Sequence, residues 1–340
     1  MFHKNDLFHT SIGFDLRAPQ QFGVTSLQVF SEAMAMIEFA DKHGIEKVDF
    51  QEHHQSEDGY IPCPFLPGVA AAARTKNIGI VMGAAILPFH NPVEMAEQIA
   101  VADLLSNGRF YTVLAAGYSP TEFAAFGVSL KNRAKAMEEG FELILRALAG
   151  ERFMFKDREV FVRPLPSRPP QEIVYAGGGT AAAAKRAARF GLSMWPMNDS
   201  IIPDYEAECA RLGKAPGRLI RSIASVYLTD DPERGWSEIG NHLLHYMQSY
   251  AKWSASAEAS ASPLHGMDTI EKIRAANLVK VVTPEQAIEI GMVRAIGLQP
   301  MIGGLHPELG WKSLEMFVNK VLPYIKNAPA EWRKTQGSQG

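Results

Sequence analysis

Short apolar stretches alternate with longer segments whose apolar residues recur every three or four positions, from one end of the chain to the other. The first pattern marks strands and the second amphipathic helices. Strands are predicted over residues 11–17, 46–50, 78–87, 110–116, 172–176, 192–196, 219–228 and 300–303. Helices are predicted over 26–43, 64–74, 132–148, 180–190, 204–212, 233–253, 284–296 and 308–325, with another that Asn91 caps, Pro92 opens and Gly108 stops. In the helix at 26–43 Phe30, Met34, Ile37 and Phe39 follow the helical period before Gly44 ends it. Residues 78–87 are continuously apolar, as in a strand buried on both faces.

Two segments break the alternation. Residues 153–170 hold aromatics, charges and four prolines, which predicts an insertion of hairpin type outside the main sheet. Residues 254–262 are almost wholly Ala and Ser, which predicts a mobile loop, taken as 254–268. Eight strand–helix units in this length indicate an α/β chain, a (β/α)8 TIM barrel forming a single domain over residues 1–340. The competing doubly wound sheet usually needs fewer units, and no Gly-x-Gly-x-x-Gly turn follows the first strand.

Composition narrows the function. Formal net charge is -3 with no basic block, so neither nucleic acid nor a membrane surface is an expected partner. No apolar run approaches the roughly 20 residues that cross a bilayer, and residues 1–6 lack the apolar core of a secretory signal. Cys63 and Cys209 lie far apart and fit no metal spacing. They read as reduced, structural thiols of a cytoplasmic protein.

The chemistry-bearing residues cluster at predicted strand ends, where barrel enzymes carry their active sites. Glu52-His53-His54 closes the second strand. Histidine can act as acid or base near neutral pH, although a polar strand end with structurally bonded histidines explains the same residues. A metal site is not expected, because the His-Glu-x-x-His spacing is absent and no third ligand is evident. Gly177-Gly178-Gly179-Thr180 follows the fifth strand and opens a helix, a combination that suits a phosphate or simply a tight turn. Ala84 and Ala85 leave room for a flat ligand or serve core packing. Tyr118 can line a pocket, Glu122 reads as a solvated loop residue, and Trp195 as a core or rim aromatic.

Taken together, these pieces resemble the bacterial-luciferase-like family of flavin-dependent monooxygenases. The likeness rests on Glu52-His53-His54, on Gly83-Ala84-Ala85-Ile86-Leu87-Pro88 with Asn91-Pro92 and Ala96-Glu97, and on Leu105-Ser106-Asn107-Gly108-Arg109-Phe110. It continues through residues 133–138 and 176–189, then Gly303-Gly304-Leu305, Leu314-Glu315-Met316-Phe317 and Val321-Leu322-Pro323. The resemblance implies a (β/α)8 barrel with reduced FMN as cofactor and His53 as catalytic base. Ala84 and Ala85 match the small pair against the flavin ring, where members of the family can carry a cis peptide. Gly177, Gly178 and Thr180 match the phosphate turn, and Trp195 matches the strand-six tryptophan of the luciferase catalytic subunit; Gly179 and Tyr118 join them as candidate cofactor-binding residues. The luciferase catalytic subunit has a cysteine and a phosphate-binding arginine where this chain has Ala115 and Ala116, which argues against light emission. Lys185 and Arg186 are the candidate replacements for that arginine.

The implied reaction is oxygenation of a small, apolar organic substrate by O2, with a flavin reductase as a possible partner and a homodimer as the expected assembly. Three rival readings remain: a deazaflavin-dependent hydride-transfer oxidoreductase, a non-catalytic flavin-binding subunit, and an unrelated barrel enzyme acting on a phosphorylated metabolite.

Overall fold

The computed structural model describes residues 1–221, 223–254 and 266–337. Most of the segment predicted as a mobile loop, residues 255–265, lies outside the described residues. Eleven strands are described: β1 Thr10–Phe14, β2 Lys47–Phe50, β3 Gly79–Ile86, β4 Phe110–Ala115, β5 Phe153–Phe155, β6 Arg158–Val160, β7 Val174–Gly178, β8 Ser193–Pro196, β9 Ala224–Leu228, β10 Val279–Val282 and β11 Ile296–Leu298. The chain divides into two compact units, one of residues 1–48, 54–61 and 223–340, the other of residues 49–53 and 62–222.

In the unit of residues 49–53 and 62–222, β3, β4, β7 and β8 lie side by side and all run parallel. Their C-terminal ends therefore share one edge. Continuous apolar burial explains the strands, since Ile80, Val81, Met82, Phe110, Val113 and Leu114 are all withdrawn from solvent. Helices begin where the sequence marks them: the Asn91 side chain accepts from the Val93 N–H at 2.9 Å ahead of Pro92–Leu105, and Thr180 caps Ala181–Phe190. The register between β3 and β4 shifts between Gly83 and Ala85, and the Gly83–Ala84 peptide is cis.

Trp195 of β8 lies against Gly83 of β3, two strands beyond its neighbour β7. Adjacent strands are spaced about 4.8 Å, so a flat sheet would hold these residues roughly three spacings apart. An indole can close that gap only across the concave face of a strongly curled sheet.

The hairpin predicted at 153–170 is present as antiparallel β5 and β6. Its two-residue turn, Lys156 and Asp157, has φ of 47° and 61°, as a right-twisting hairpin requires. Phe153 and Val160 pack into the unit's main core, so the hairpin is anchored apolar-side down.

In the other unit, parallel strands run in the order β10, β9, β11, β1. The eighth strand, predicted at 300–303, is β11 at Ile296–Leu298, and the predicted stretch forms the tight turn Ile302–Gly304. Met292, Val293 and Ile296 continue the helical period past Gly291, which disguised the end of Pro284–Gly291. The helix Ile270–Ala276 and β10 were missed, although Val279, Val281 and Val282 form a β-branched run.

This unit buries an ionic cluster. Arg17, fully buried, lies 3.1 Å from Asp15 and 3.2 Å from Asp58. Its guanidinium faces the Tyr60 ring at 4.6 Å and the Tyr246 ring at 5.4 Å, so the charge is held by two carboxylates and aromatic faces. His245 Nε2 lies 2.6 Å from Asp58.

Candidate active site

The candidate site forms at the shared C-terminal edge of β3, β4, β7 and β8, with residues 49–53 alongside. Glu52 is buried and anchors this edge: its carboxylate accepts from the Ile86 N–H at 2.8 Å and pairs with His90 Nε2 at 2.9 Å. The end of β2 is thereby tied to the end of β3. Glu52 thus braces the strand end and holds His90.

His53 is buried at 6% exposure, with Nδ1 2.9 Å from Glu122 Oε1. Glu122 is itself 2% exposed, so the reading of this residue as a solvated loop position is wrong. It stands in the first turn of Pro120–Ala125. Ser119 followed by Pro120 is a helix-start signal that the sequence carried. Gly117 makes the turn possible: its φ is +69°, and a Cβ would come within 2.7 Å of Ile86 and 3.1 Å of Phe123. The same turn brings the Tyr118 ring edge-on to His53, with centroids 5.9 Å apart.

Of the two alanines on β3, Ala84 is half-buried and Ala85 is fully buried in the apolar core. They alternate across the strand, so only Ala84 keeps exposure at this edge. The cis peptide precedes Ala84 rather than joining Ala84 to Ala85. Half-buried Trp195 covers Gly83 so closely that any Cβ there would overlap its ring. Ala115, Ala116 and Gly177 are also half-buried, which leaves a low surface of small side chains along the strand ends.

The glycine bend divides by cause. A Cβ on Gly177 would approach Val113 to 2.9 Å, and one on Gly178 would approach Ala183 to 2.5 Å. Packing alone thus requires both. Gly179 meets nothing nearer than 3.4 Å. Thr180 Oγ1 accepts from the Ala183 N–H at 3.3 Å and the Thr180 carbonyl accepts from Ala184. Ala181 and Ala182 precede these, so their amides have no partner within the helix. Two such N–H groups at the positive end of a ten-residue helix suit a phosphate. Arg186 is not committed to that bend: its Nε lies 2.8 Å from Glu138, which also binds Arg189. Lys185 is exposed. Among the described residues no cluster of histidine, cysteine, aspartate or glutamate could hold a metal.

The chain belongs to the luciferase-like monooxygenase family, whose model matches residues 8–297. It is an enzyme of the oxidoreductase class that this family defines, on an α/β fold. Limonene 1,2-monooxygenase of Rhodococcus erythropolis is 25% identical over 75% of this chain and 69% of its own. The fold is shared with a monooxygenase from Streptomyces bottropensis, at a TM-score of 0.73, 23% identity and coverage of 93% of this chain and 99% of that one. It is shared as well with the oxygenating constituent of 3,6-diketocamphane monooxygenase from Pseudomonas putida, solved with FMN (TM-score 0.66, 19% identity, 94% and 99% covered). Solved structures with this fold also include an F420-dependent secondary alcohol dehydrogenase (TM-score 0.67, 16% identity, 94% and 99% covered).

A flavin fits what the strand ends offer. The small-residue surface and the Trp195 face suit a flat tricyclic ring, and the first-turn amides suit its phosphate. No helix among the described residues is long and apolar enough to cross a membrane.

Proposed function

We propose that this protein is the oxygenase of a two-component system, using reduced FMN and O2 to oxygenate a small apolar substrate of the terpenoid, ketone or aldehyde kind. The observation that carries the reading is the buried His53, paired with Glu122 on the strand-end edge that also bears Ala84, Trp195 and the glycine bend.

FMN, when bound, supplies the reaction with oxygen. Ala84, Tyr118 and Trp195 would flank its ring, and Gly177, Gly178, Gly179 and Thr180, with the amides of Ala181 and Ala182, would hold its phosphate. His53 moves the proton that oxygen insertion requires, a step typically worth about 10²- to 10⁴-fold in rate. Trp195 and Tyr118 keep water from the reacting face. Relatives described as oxygenase components support a separate flavin reductase as partner. A homodimer and a cytoplasmic location complete the proposal.

Hydride transfer with a deazaflavin is the second reading, favoured by the F420-dependent enzyme that shares the fold. One experiment separates them. The protein is mixed with each reduced coenzyme, and oxygen uptake is followed across a panel of terpenoids, ketones and aldehydes. Substrate-dependent uptake with reduced FMN is expected. Uptake in neither case, with reduction of substrate by the deazaflavin alone, overturns the monooxygenase reading.

A further inference from the structure

We infer that Glu122 is the positioning residue of the site: its carboxylate holds the proton of His53 on Nδ1 and so makes Nε2 the basic nitrogen. The inference deepens the role proposed for His53 and rests on it.

A neutral imidazole has one N–H and one bare nitrogen, and an ionised carboxylate can only accept. With an ionised Glu122 placing Oε1 2.9 Å from Nδ1, that nitrogen carries the proton. An unconstrained imidazole favours the opposite form, with its proton on Nε2, so a partner is needed to impose this one. Both groups are almost wholly buried, so water competes little for the bond.

Three features hold the pair. Glu122 sits on a helical turn whose Phe123 N–H donates to the Ser119 carbonyl and whose Glu122 carbonyl accepts from Phe126. The Phe123 ring packs edge-on against Phe89, which fixes the turn against the segment after β3. Glu52 fixes the preceding residue through Ile86 and His90, so His53 enters from a braced strand end. Glu52 and His53 thus each take part in an acid–imidazole pair, with the roles exchanged. The Glu52 pair lies on the anchoring side and the His53 pair beside Tyr118.

The test reads the tautomer directly. Histidine-labelled protein without cofactor is studied by nitrogen NMR at a pH where the imidazole is neutral. A bare Nε2 and a protonated Nδ1 are expected for His53, and the reverse assignment in wild type overturns the inference outright. In Glu122→Leu the proton is expected to move to Nε2; an unchanged tautomer in a folded variant also overturns it. Glu122→Gln, which keeps volume and polarity, serves if the leucine variant does not fold, and a mixed or reversed tautomer is expected there. Turnover of either variant should fall roughly tenfold or more, and Glu122→Leu combined with His53→Ala should lose no more than His53→Ala alone. Additive losses would mean that Glu122 acts independently of His53. If His53→Ala were fully active while the tautomer still followed Glu122, the role of His53 would fail and the positioning would stand.

Discussion

Trp195 lies directly over Gly83, so the indole of one strand takes the space that any side chain on the other would need. Because β4 and β7 separate β3 from β8, this one contact reports both the curl of the sheet and the shape of the candidate cofactor face. Gly83→Ala is expected to displace the indole and to cost about 1–3 kcal/mol of stability. Trp195→Ala in the same chain should recover part of that loss. Equal melting temperatures and unchanged tryptophan fluorescence in Gly83→Ala would show that the indole does not occupy this space.

His53→Ala is expected to keep FMN binding and lose turnover by roughly a hundredfold or more. Flavin titration and oxygen uptake check the two halves separately. Turnover at the wild-type level would remove the imidazole from the reaction.

At the glycine bend, the side chain and the phosphate site can be separated. Gly178→Val would push against Ala183 and shift the helix Ala181–Phe190, so stability and FMN affinity should fall together. Thr180→Ala removes the cap, at about 1 kcal/mol, together with the hydroxyl's share of the phosphate grip, and leaves the Ala181 and Ala182 amides in place. Its FMN affinity should drop much less than that of Gly178→Val; an equal drop would assign the phosphate to the threonine hydroxyl.

The Arg17 cluster predicts a pH dependence. Burial by itself pushes the Asp58 carboxyl up, but the hydrogen bond with His245 and the Arg17 guanidinium hold it well below the usual carboxylate range. A depressed folded-state value gives stability that is present above the unfolded value, about pH 4, and lost as pH falls further. Asp58→Asn should therefore cost about 1–3 kcal/mol at pH 7 and progressively less below pH 4. Denaturant melts at neutral and acid pH measure the difference, and a cost independent of pH would contradict the assignment.

The sequence revealed the fold wherever local signals agreed. Ser26–His43 has a cap, a helical stripe and a terminating glycine, and it was read to the residue. Signals failed near the C-terminal end, where apolar residues beyond Gly291 kept the helical period although the chain had turned into β11. Within the candidate site, His53 and the glycine bend were legible because residue type and strand-end position coincide. Glu122 was not, because partnership with His53 spans 69 positions and depends on a left-handed turn at Gly117. Arg186 looked available for a phosphate, and only the fold reveals its ion pair with Glu138.

The absence of an arginine at Ala115 and Ala116 has an energetic consequence. If peptide N–H groups at the start of Ala181–Phe190 grip the dianion in place of a guanidinium, the attraction comes from short, oriented dipoles instead of a formal cation. Such a grip is weaker than a charge pair, and salt screens it too, because Thr180, Ala181 and Ala182 stand exposed. The phosphate end would then let go of flavin more readily than a guanidinium would.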